Sequence, residues 1–215
     1  MGSGGNIADL LLLLPVFLLS ISLHEYAHAW AATKLGDPTP RALGRLTVNP
    51  RAHLDPLGTI MFIAGFLFYG FLFGWAKPVP VNHFNFRHPR RDFALVAISG
   101  PGSNFMQALG WYLLWLAFSF ALPDSFPLRV PLIFLCQLGV EINIILCCFN
   151  LIPIPPLDGS RLLAWMLPPR QAAAIDGLER YGMIILMVLI FTGIFAKFYF
   201  PLFHAVISLF PGFGR

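Results

Sequence analysis

Charged residues are scarce in this sequence. Only 11% of its 215 residues are charged and 57% are hydrophobic, whereas a soluble domain carries about 25% charged residues. The composition therefore excludes a soluble globular domain as the main body of the chain and indicates an integral membrane protein in contact with the lipid bilayer. The basic residues lie mainly in short loops between apolar segments, so the net charge of +4 predicts loops that set topology, with no nucleic-acid partner.

The sequence also has few cysteines and no internal repeat. The three cysteines, Cys136, Cys147 and Cys148, fall in one apolar segment and have neither metal-ligand spacing nor the pattern of a disulfide framework. We expect them to be packing residues. The chain shows no internal repeat and no low-complexity linker, so the repeat symmetry that is common in transporters is missing.

One polar motif stands inside an apolar run. Residues 24–28 read HEYAH, and residues 7–23 ahead of them carry only Asp9 as a formal charge. On a helix, His24 and His28 share one face, and Glu25 beside them can take a proton from a metal-bound water. Because ionisable groups in an apolar helix are costly and usually mark a functional site, we predict a zinc site here rather than a chance match.

The apolar segments predict an all-α polytopic membrane protein with about four to five transmembrane helices and a helix broken at the active site. The first segment has no basic leader and runs directly into the motif, so we interpret it as a transmembrane helix and not as a signal peptide. We expect one membrane-embedded domain over 1–215, with core motifs at 20–167, an insert at 36–91 and a C-terminal helix at 180–210. The expected spans are 6–32, 93–122, 131–149 and 180–200, with 201–210 either continuing the last helix or lying at the interface.

The insert is expected to be partly β and re-entrant. The stretch from Arg45 to Val48 is β-prone and lies between turn residues, which predicts one or two short strands. The segment from Pro56 to Trp75 is apolar and separates two loops, 34–55 and 77–91, with four basic residues each. Because basic loops tend to face the cytoplasm, we expect this segment to enter and return on one side, with an ordinary short span as the alternative.

A catalytic zinc takes three protein ligands and leaves a position for water. Asp158 is the preferred third ligand, because it is an isolated acid in apolar sequence directly after Pro153, Pro155 and Pro156, which cannot continue a helix. The other candidates for the third ligand are His53, Asp55, Glu141 and His83.

Three stretches carry a family resemblance: HEYAH at 24–28, SGPGSN at 99–104 and NLIPIPPLDG at 150–159. In this order they resemble the signatures of the site-2 protease family of intramembrane zinc metalloproteases, and residues 44–59 and 74–82 resemble its compact bacterial members. The resemblance implies zinc on His24, His28 and Asp158, and Glu25 as the general base for zinc-activated water. It also implies that Asn150 holds the substrate or stabilises the oxyanion, with a helix cap as the alternative role.

The resemblance further implies hydrolysis of peptide bonds within or near the transmembrane segments of single-span membrane proteins. The implied location is a bacterial cell membrane, with the active site toward the cytoplasmic side. The sequence has no room for the PDZ or CBS domains of other members, so we expect substrate selection by the membrane core, by the insert, or by a regulatory membrane partner or homo-oligomer. For Asn104, helix packing is favoured slightly over substrate contact.

Two other classes of function remain as alternatives. A transporter or binder of zinc or another divalent metal also places His and Asp within a membrane, but it is expected to have several ligand-bearing helices. An inactive relative would bind substrates without cutting them, and the presence of all four residues His24, Glu25, His28 and Asp158 argues against it.

Overall fold

Helices form nearly all the regular structure of the described residues, 7–69 and 74–213, in the computed structural model. Two short 3₁₀ turns, His83–Asn85 and Glu179–Tyr181, join some of them. The helices are α1 Ile7–Lys34, α2 Thr39–Ala42, α3 Pro50–His53, α4 Pro56–Tyr69, α5 Pro89–Ala121, α6 Arg129–Leu151, α7 Asp158–Met166, α8 Pro169–Leu178, α9 Gly182–Phe191 and α10 Ile194–Ile207.

Two of the described helices are long and apolar enough to cross a membrane. They are Leu10–Lys34 of α1 and Arg129–Leu151, which is α6. The stretch Pro169–Phe191 together with Ile194–Ile207 gives a third crossing if this bent pair is a single span. Helix α5 has 33 residues, more than a bilayer requires, but it is not among them. The mainly helical fold, with two or three helices that could cross a membrane, is thus confirmed, and the count of four to five spans stays a prediction.

Helices α1, α5 and α6 pack together at the centre of the described structure. Helix α5 contacts both of the others extensively. A Cβ at Gly139 of α6 would collide with the Trp111 ring of α5, so this glycine permits the close approach of the two helices. The three cysteines of α6 are free and buried. This packing places the polar turn of α1 against small and polar residues of α5.

The strands expected in the insert are absent from the described residues. Residues 45–48 are irregular, and the β pairing consists of one isolated bridge between Leu54 and Ala76. The expectation of a partly β insert is therefore wrong for Arg45 to Val48. A strand needs a partner to satisfy its backbone groups, and here the Arg45 guanidinium instead donates to the Ala52 carbonyl and the His53 ring to Thr47 O.

The two ends of the segment from Pro56 to Trp75 lie together. A Cβ at Gly58 would collide with the Trp75 backbone, and one at Gly74 would collide with Phe62. Helix α4 has 14 residues and rises about 21 Å, which is shorter than a full crossing. Residues 70–73 lie outside the described part. A re-entrant segment must begin and end on the same side of the membrane, and the proximity of the two ends of this segment is compatible with that interpretation.

The C-terminal helix expected over 180–210 is broken. Helix α9 ends at Phe191, α10 begins at Ile194, and the pair bends by 83°. Gly193 between them has φ of 73°, a left-handed conformation that ends helices and that residues with a Cβ rarely adopt. The single C-terminal helix of the sequence analysis is therefore corrected to two helices.

The extended residues 77–82 are fixed at both ends. At one end, Lys77 N donates to His53 O over 2.8 Å. At the other end, Asn82 N donates to Asp37 Oδ2 over 2.7 Å, and Asp37 also accepts from Asn85 Nδ2 and from Thr39. Asp37 is fully buried just after α1. This carboxylate therefore ties the end of α1 to the extended segment 77–82.

We expect Asp37→Ala to lower the free energy of unfolding by about 1 to 3 kcal/mol, because it removes a buried acceptor that several donors share. Burial alone would raise the pKa of Asp37, but the hydrogen bonds from Thr39, Asn85 and Asn82 outweigh it and hold the pKa below its ordinary value of 3.8. The stabilisation is therefore present above that ordinary value and is lost as the pH falls through the folded pKa.

Thermal unfolding of the detergent-solubilised protein, followed at several pH values between about 7 and about 3, measures this contribution. The exposed Asp124, paired with Arg129, gives the matched control Asp124→Ala, which should change stability by less than about 1 kcal/mol. Equal stability of Asp37→Ala and the unaltered chain at neutral pH would contradict the assignment.

Candidate active site

Helix α1 carries three buried polar side chains within five consecutive residues. His24, Glu25 and His28 are each less than a tenth exposed. One helical turn separates the two histidines, and their Nε2 atoms lie 3.0 Å apart. The HEYAH motif therefore forms the pair of imidazoles on one helix face that its spacing predicts.

Asp158 reaches the same point from a different part of the chain. It is the first residue of α7, directly after residues 152–157, which are not helical. Its Oδ2 atom lies 3.3 Å from His24 Nε2 and 3.2 Å from His28 Nε2. The break that the prolines predicted thus turns the chain so that Asp158 faces α1.

The three facing atoms have the spacing of ligands on one metal ion. Tetrahedral zinc with bonds of about 2.0 to 2.1 Å keeps its ligand atoms about 3.3 Å apart, and the distances here are 3.0, 3.2 and 3.3 Å. His24, His28 and Asp158 form the group of His, Cys, Asp or Glu side chains among the described residues that could hold a metal. Two nitrogen donors and one carboxylate oxygen are a donor set that zinc accepts.

The Nδ1 atoms of the two imidazoles make their contacts away from this centre. His24 Nδ1 lies 2.5 Å from Asn104 Oδ1, and His28 Nδ1 donates to Val96 O over 2.8 Å. Each Nε2 of a neutral imidazole then presents a lone pair, and Asp158 Oδ2 has no hydrogen-bond donor among the described residues. A bound cation satisfies all three atoms, and such Nδ1–H contacts are the usual support of metal-ligating histidines.

Glycines allow other elements to approach these ligands. A Cβ at Gly100 of α5 would collide with both imidazole rings, and a Cβ at Gly159 of α7 would collide with the backbone at the end of α6. Next to Gly100, Ser103 Oγ donates to Leu23 O over 3.2 Å. The SGPGSN stretch therefore brings α5 against the metal-binding turn of α1.

A cavity of about 620 Å³ opens beside the metal-binding residues. Its lining includes His24, Glu25, His28, Asp158 and Asn150, so the structure brings together every residue that the sequence assigned to the site. The Glu25 carboxylate accepts a hydrogen bond from Val79 N through Oε2, over 3.2 Å. The segment that carries Val79 forms part of the cavity wall.

Asn150 lies near the end of α6 and faces this cavity. Its amide nitrogen donates to Leu146 O over 3.0 Å, the carbonyl one turn earlier in its own helix. A primary amide has two N–H groups, so this bond uses one of them. The contact resembles the capping role considered for Asn150, and it leaves a second N–H for a ligand in the cavity.

The other candidates for the third ligand lie elsewhere. His53 is buried and donates to Thr47 O, and Asp55 accepts from Gly58 N at the start of α4. Glu141 is on the exposed side of α6. His83 is exposed in a 3₁₀ turn, and its ring contacts that of Phe84 at a tilt. Among the described residues none of these four belongs to the metal-binding group.

The role of Asn104 was missed by reasoning from the sequence. It is fully buried and contacts His24 Nδ1, so it is neither a cavity residue nor only a packing residue. An amide in an apolar helix was a signal that it needed partners, but no spacing rule identifies His24 as one of them. The contacts of Val79 N with Glu25 and of Val96 O with His28 could not be predicted either. Backbone groups are nearly the same in every residue, so the sequence does not indicate which of them meets a side chain.

Known proteins with similar sequences are named as zinc metalloproteases. "Putative zinc metalloprotease YwhC" of Bacillus subtilis is 38% identical over 195 residues, which cover 90% of this chain and 86% of the relative. "Putative zinc metalloprotease Rip2" of Mycolicibacterium smegmatis is 30% identical over 195 residues, covering 89% of this chain and 71% of the relative. "Putative zinc metalloprotease MJ0611" of Methanocaldococcus jannaschii is 36% identical over 70 residues, 33% of this chain and 32% of the relative. No protein-family model and no solved structure matches the chain.

We expect Gly100→Ala to weaken zinc binding by about tenfold or more, because the new methyl group must displace the imidazoles that it meets. The matched control is Gly102→Ala in the same helix, since a Cβ at Gly102 meets nothing within 4 Å. Zinc affinity, measured on purified protein by competition with a chelator, should be unchanged in the control. Equal affinity of the two variants would show that Gly100 does not limit the space around the ligands.

Proposed function

Because the chain belongs to the family of the YwhC and Rip2 zinc metalloproteases, we propose that it is an intramembrane protease of the site-2 type. Zinc on His24, His28 and Asp158 would serve the hydrolysis of peptide bonds in membrane-protein substrates. The observation that carries the proposal is the geometry of the site. Three ligand atoms at zinc spacing and a neighbouring glutamate share one cavity, and the ligand helix α1 is apolar and long enough to cross a membrane.

Zinc bound at these residues supplies a Lewis acid that polarises a carbonyl and lowers the pKa of a coordinated water toward neutrality. The chain's own contribution begins with Glu25, whose carboxylate lines the same cavity as the ligands. Val79 N holds its Oε2 atom, which leaves Oε1 to take a proton from water. Glu25 can then return that proton to the leaving amine, as a general base and acid does in peptide hydrolysis.

Asn150 supplies a donor for the charge that develops on the carbonyl oxygen. Its second N–H is not used by the contact with Leu146 O, and its side chain lines the cavity. A fixed amide donor aimed at a developing oxyanion stabilises the transition state more than the ground state. We therefore retain Asn150 as a catalytic residue in this proposal.

The substrate class in this proposal is a single-span membrane protein. Peptide carbonyls in a helix are already hydrogen-bonded, so the scissile part of a transmembrane helix must be extended before it is cut. Residues 77–81 are extended beside the cavity and can pair with such a peptide as a strand edge does. Pro78 and Pro80 lack N–H groups, and Lys77 N and Val79 N have partners. This edge therefore offers a peptide mainly carbonyl acceptors.

The proposed location is a bacterial cell membrane, with the site toward the cytoplasm. The support is the charge of the insert, where residues 34–55 and 77–91 carry four basic residues each, since basic loops favour the cytoplasmic side. The two ends of the re-entrant segment meet beside these loops. We also propose that a regulatory membrane partner or a second copy controls which substrates enter.

Two substitutions test the roles of the site residues. We expect Asp158→Ala to lose both zinc and proteolysis, because only two of the three ligands remain. We expect Glu25→Gln to lose proteolysis but to keep zinc, because Glu25 is not a ligand. Activity is measured by co-expression with candidate single-span proteins, and zinc by metal analysis of purified protein. Glu141→Gln is the matched control, since Glu141 is an acid of α6 outside the site, and it should retain both. Full zinc occupancy in Asp158→Ala, or Glu25-independent cleavage, would refute the proposal.

The requirement for an extended substrate gives a second test. We expect substrates with Gly or Pro near the cut to be cleaved faster than versions in which Leu replaces the breaker, because Gly and Pro weaken a helix by about 1 and about 3 kcal/mol relative to Ala. Initial rates of cleavage of matched substrate pairs in detergent or liposomes measure the difference. The control pair carries the same replacement far from the cut. Equal rates for both members of the first pair would contradict local unwinding.

A further inference from the structure

We propose that Asn104, Asn143 and Ser20 form a hydrogen-bonded chain that holds the His24 ring in the tautomer and orientation required for zinc. The three are then positioning residues of the metal site, contributed by α5, α6 and α1. The inference rests on the metal site of the proposed function, but it does not depend on the reaction that the zinc serves.

The chain of contacts is continuous and dry. Asn104 Oδ1 lies 2.5 Å from His24 Nδ1, and Asn104 Nδ2 donates to Asn143 Oδ1 over 3.0 Å. Asn143 Nδ2 then donates to Ser20 Oγ over 2.9 Å. Asn104, Asn143 and Ser20 are all 0% exposed, so bulk water cannot replace any of these contacts. A buried amide left without its partner destabilises the folded state.

The far end of the chain is anchored on two backbone carbonyls, Val16 O and Gly139 O, which can only accept hydrogen bonds. Ser20 Oγ donates its proton to Val16 O over 2.8 Å, so its lone pairs must accept from Asn143. The same Asn143 nitrogen donates to Gly139 O over 2.9 Å. Gly139 O can only accept, so it needs the N–H₂ end of the amide, and Asn143 cannot flip without losing this contact.

The fixed orientation of the Asn143 amide determines which atom of Asn104 faces His24. Because Asn143 presents its oxygen to Asn104, Asn104 must present its nitrogen in return, and that nitrogen also lies 3.5 Å from Ser20 O. The oxygen of Asn104 is then the atom that faces His24, and an oxygen can only accept. His24 must therefore carry its proton on Nδ1, which leaves the Nε2 lone pair for the metal.

His28 shows why this longer chain is needed at His24. Val96 O accepts directly from His28 Nδ1, so one backbone carbonyl fixes the tautomer of that ring. At His24 the corresponding acceptor is the side-chain amide of Asn104. Its oxygen and nitrogen can exchange places by a flip of the amide, and only its neighbours determine which of the two faces His24. The two ligands thus receive the same support from different sources, and the support of His24 depends on α6.

The test compares the zinc affinity of four variants, each purified in detergent and checked for helix content and monodispersity. Asn104→Leu should weaken zinc binding by about 10- to 100-fold, as the loss of other supporting partners of metal ligands does. Asn104→Asp keeps an acceptor for Nδ1–H and should bind zinc nearly as well as the unaltered chain. Asn143→Leu should give an intermediate loss, because it frees the Asn104 amide to flip.

Gln107→Leu is the matched control. Gln107 Nε2 donates to Ser20 O and to Ser103 Oγ, each over 3.3 Å, so its loss weakens the same contact between α1 and α5 without reversing the amide at His24. Its zinc affinity should be unchanged. Absorption of the cobalt-substituted proteins gives a second readout, since a displaced His24 alters the tetrahedral spectrum.

Three results would overturn the inference: unchanged zinc affinity in Asn104→Leu, an equal loss in Asn104→Asp and Asn104→Leu, or an equal loss in Gln107→Leu and Asn143→Leu. The second and third would reduce Asn104 and Asn143 to packing residues. Zinc affinity is measured without substrate, so the two proposals can fail separately. If the variants show the expected order of zinc affinities but the protein cuts no substrate, only the proposed function is refuted. If the protein cuts substrates but the variants do not show that order, only the network is refuted.

Discussion

The rest of the structure depends on the meeting of His24 Nε2, His28 Nε2 and one carboxylate oxygen of Asp158 within 3.3 Å of one another. In an apolar surrounding, three such electron-rich atoms repel one another strongly unless a cation or a proton lies between them. The two imidazoles are buried, so bulk water screens them little. The surrounding helices must therefore hold the three side chains in place and prevent rotamers that would move their facing atoms apart.

Several local features of the helices meet this requirement. Gly100 lets α5 pass against the imidazole rings, and the non-helical residues 152–157 turn the chain so that α7 begins with Asp158 at the site. At the other end of α7, Arg90 of α5 donates to Ala164 O over 2.9 Å and to Leu167 O over 2.5 Å. This nine-residue helix is thus held at both of its ends. Helix α5 supports the metal site from two directions, although it contributes no ligand.

The residues of the candidate site were predictable, because each breaks a local rule of the sequence around it. His24, Glu25 and His28 are polar in an apolar helix, and Asp158 follows three prolines that end one. The strand expected at Arg45 to Val48 and the unbroken helix over 180–210 rested on propensity and hydropathy alone, and both were overridden, by the side-chain hydrogen bonds of the insert and by the left-handed Gly193. Contacts such as His24 with Asn104 join residues 80 positions apart, and no periodicity reports them.

The segment of residues 77–82 is fixed to His53 O at one end and to Asp37 at the other, with Val79 N on Glu25 between them. An extended stretch held at three points cannot slide along its own axis by one residue without breaking all three contacts. A peptide that paired with this segment as proposed would therefore lie in one fixed register, with Glu25, the proposed general base, at the middle of the three contacts. The cut position along a substrate would then be set by distance from the point of pairing, and side chains in the substrate would decide only whether pairing begins.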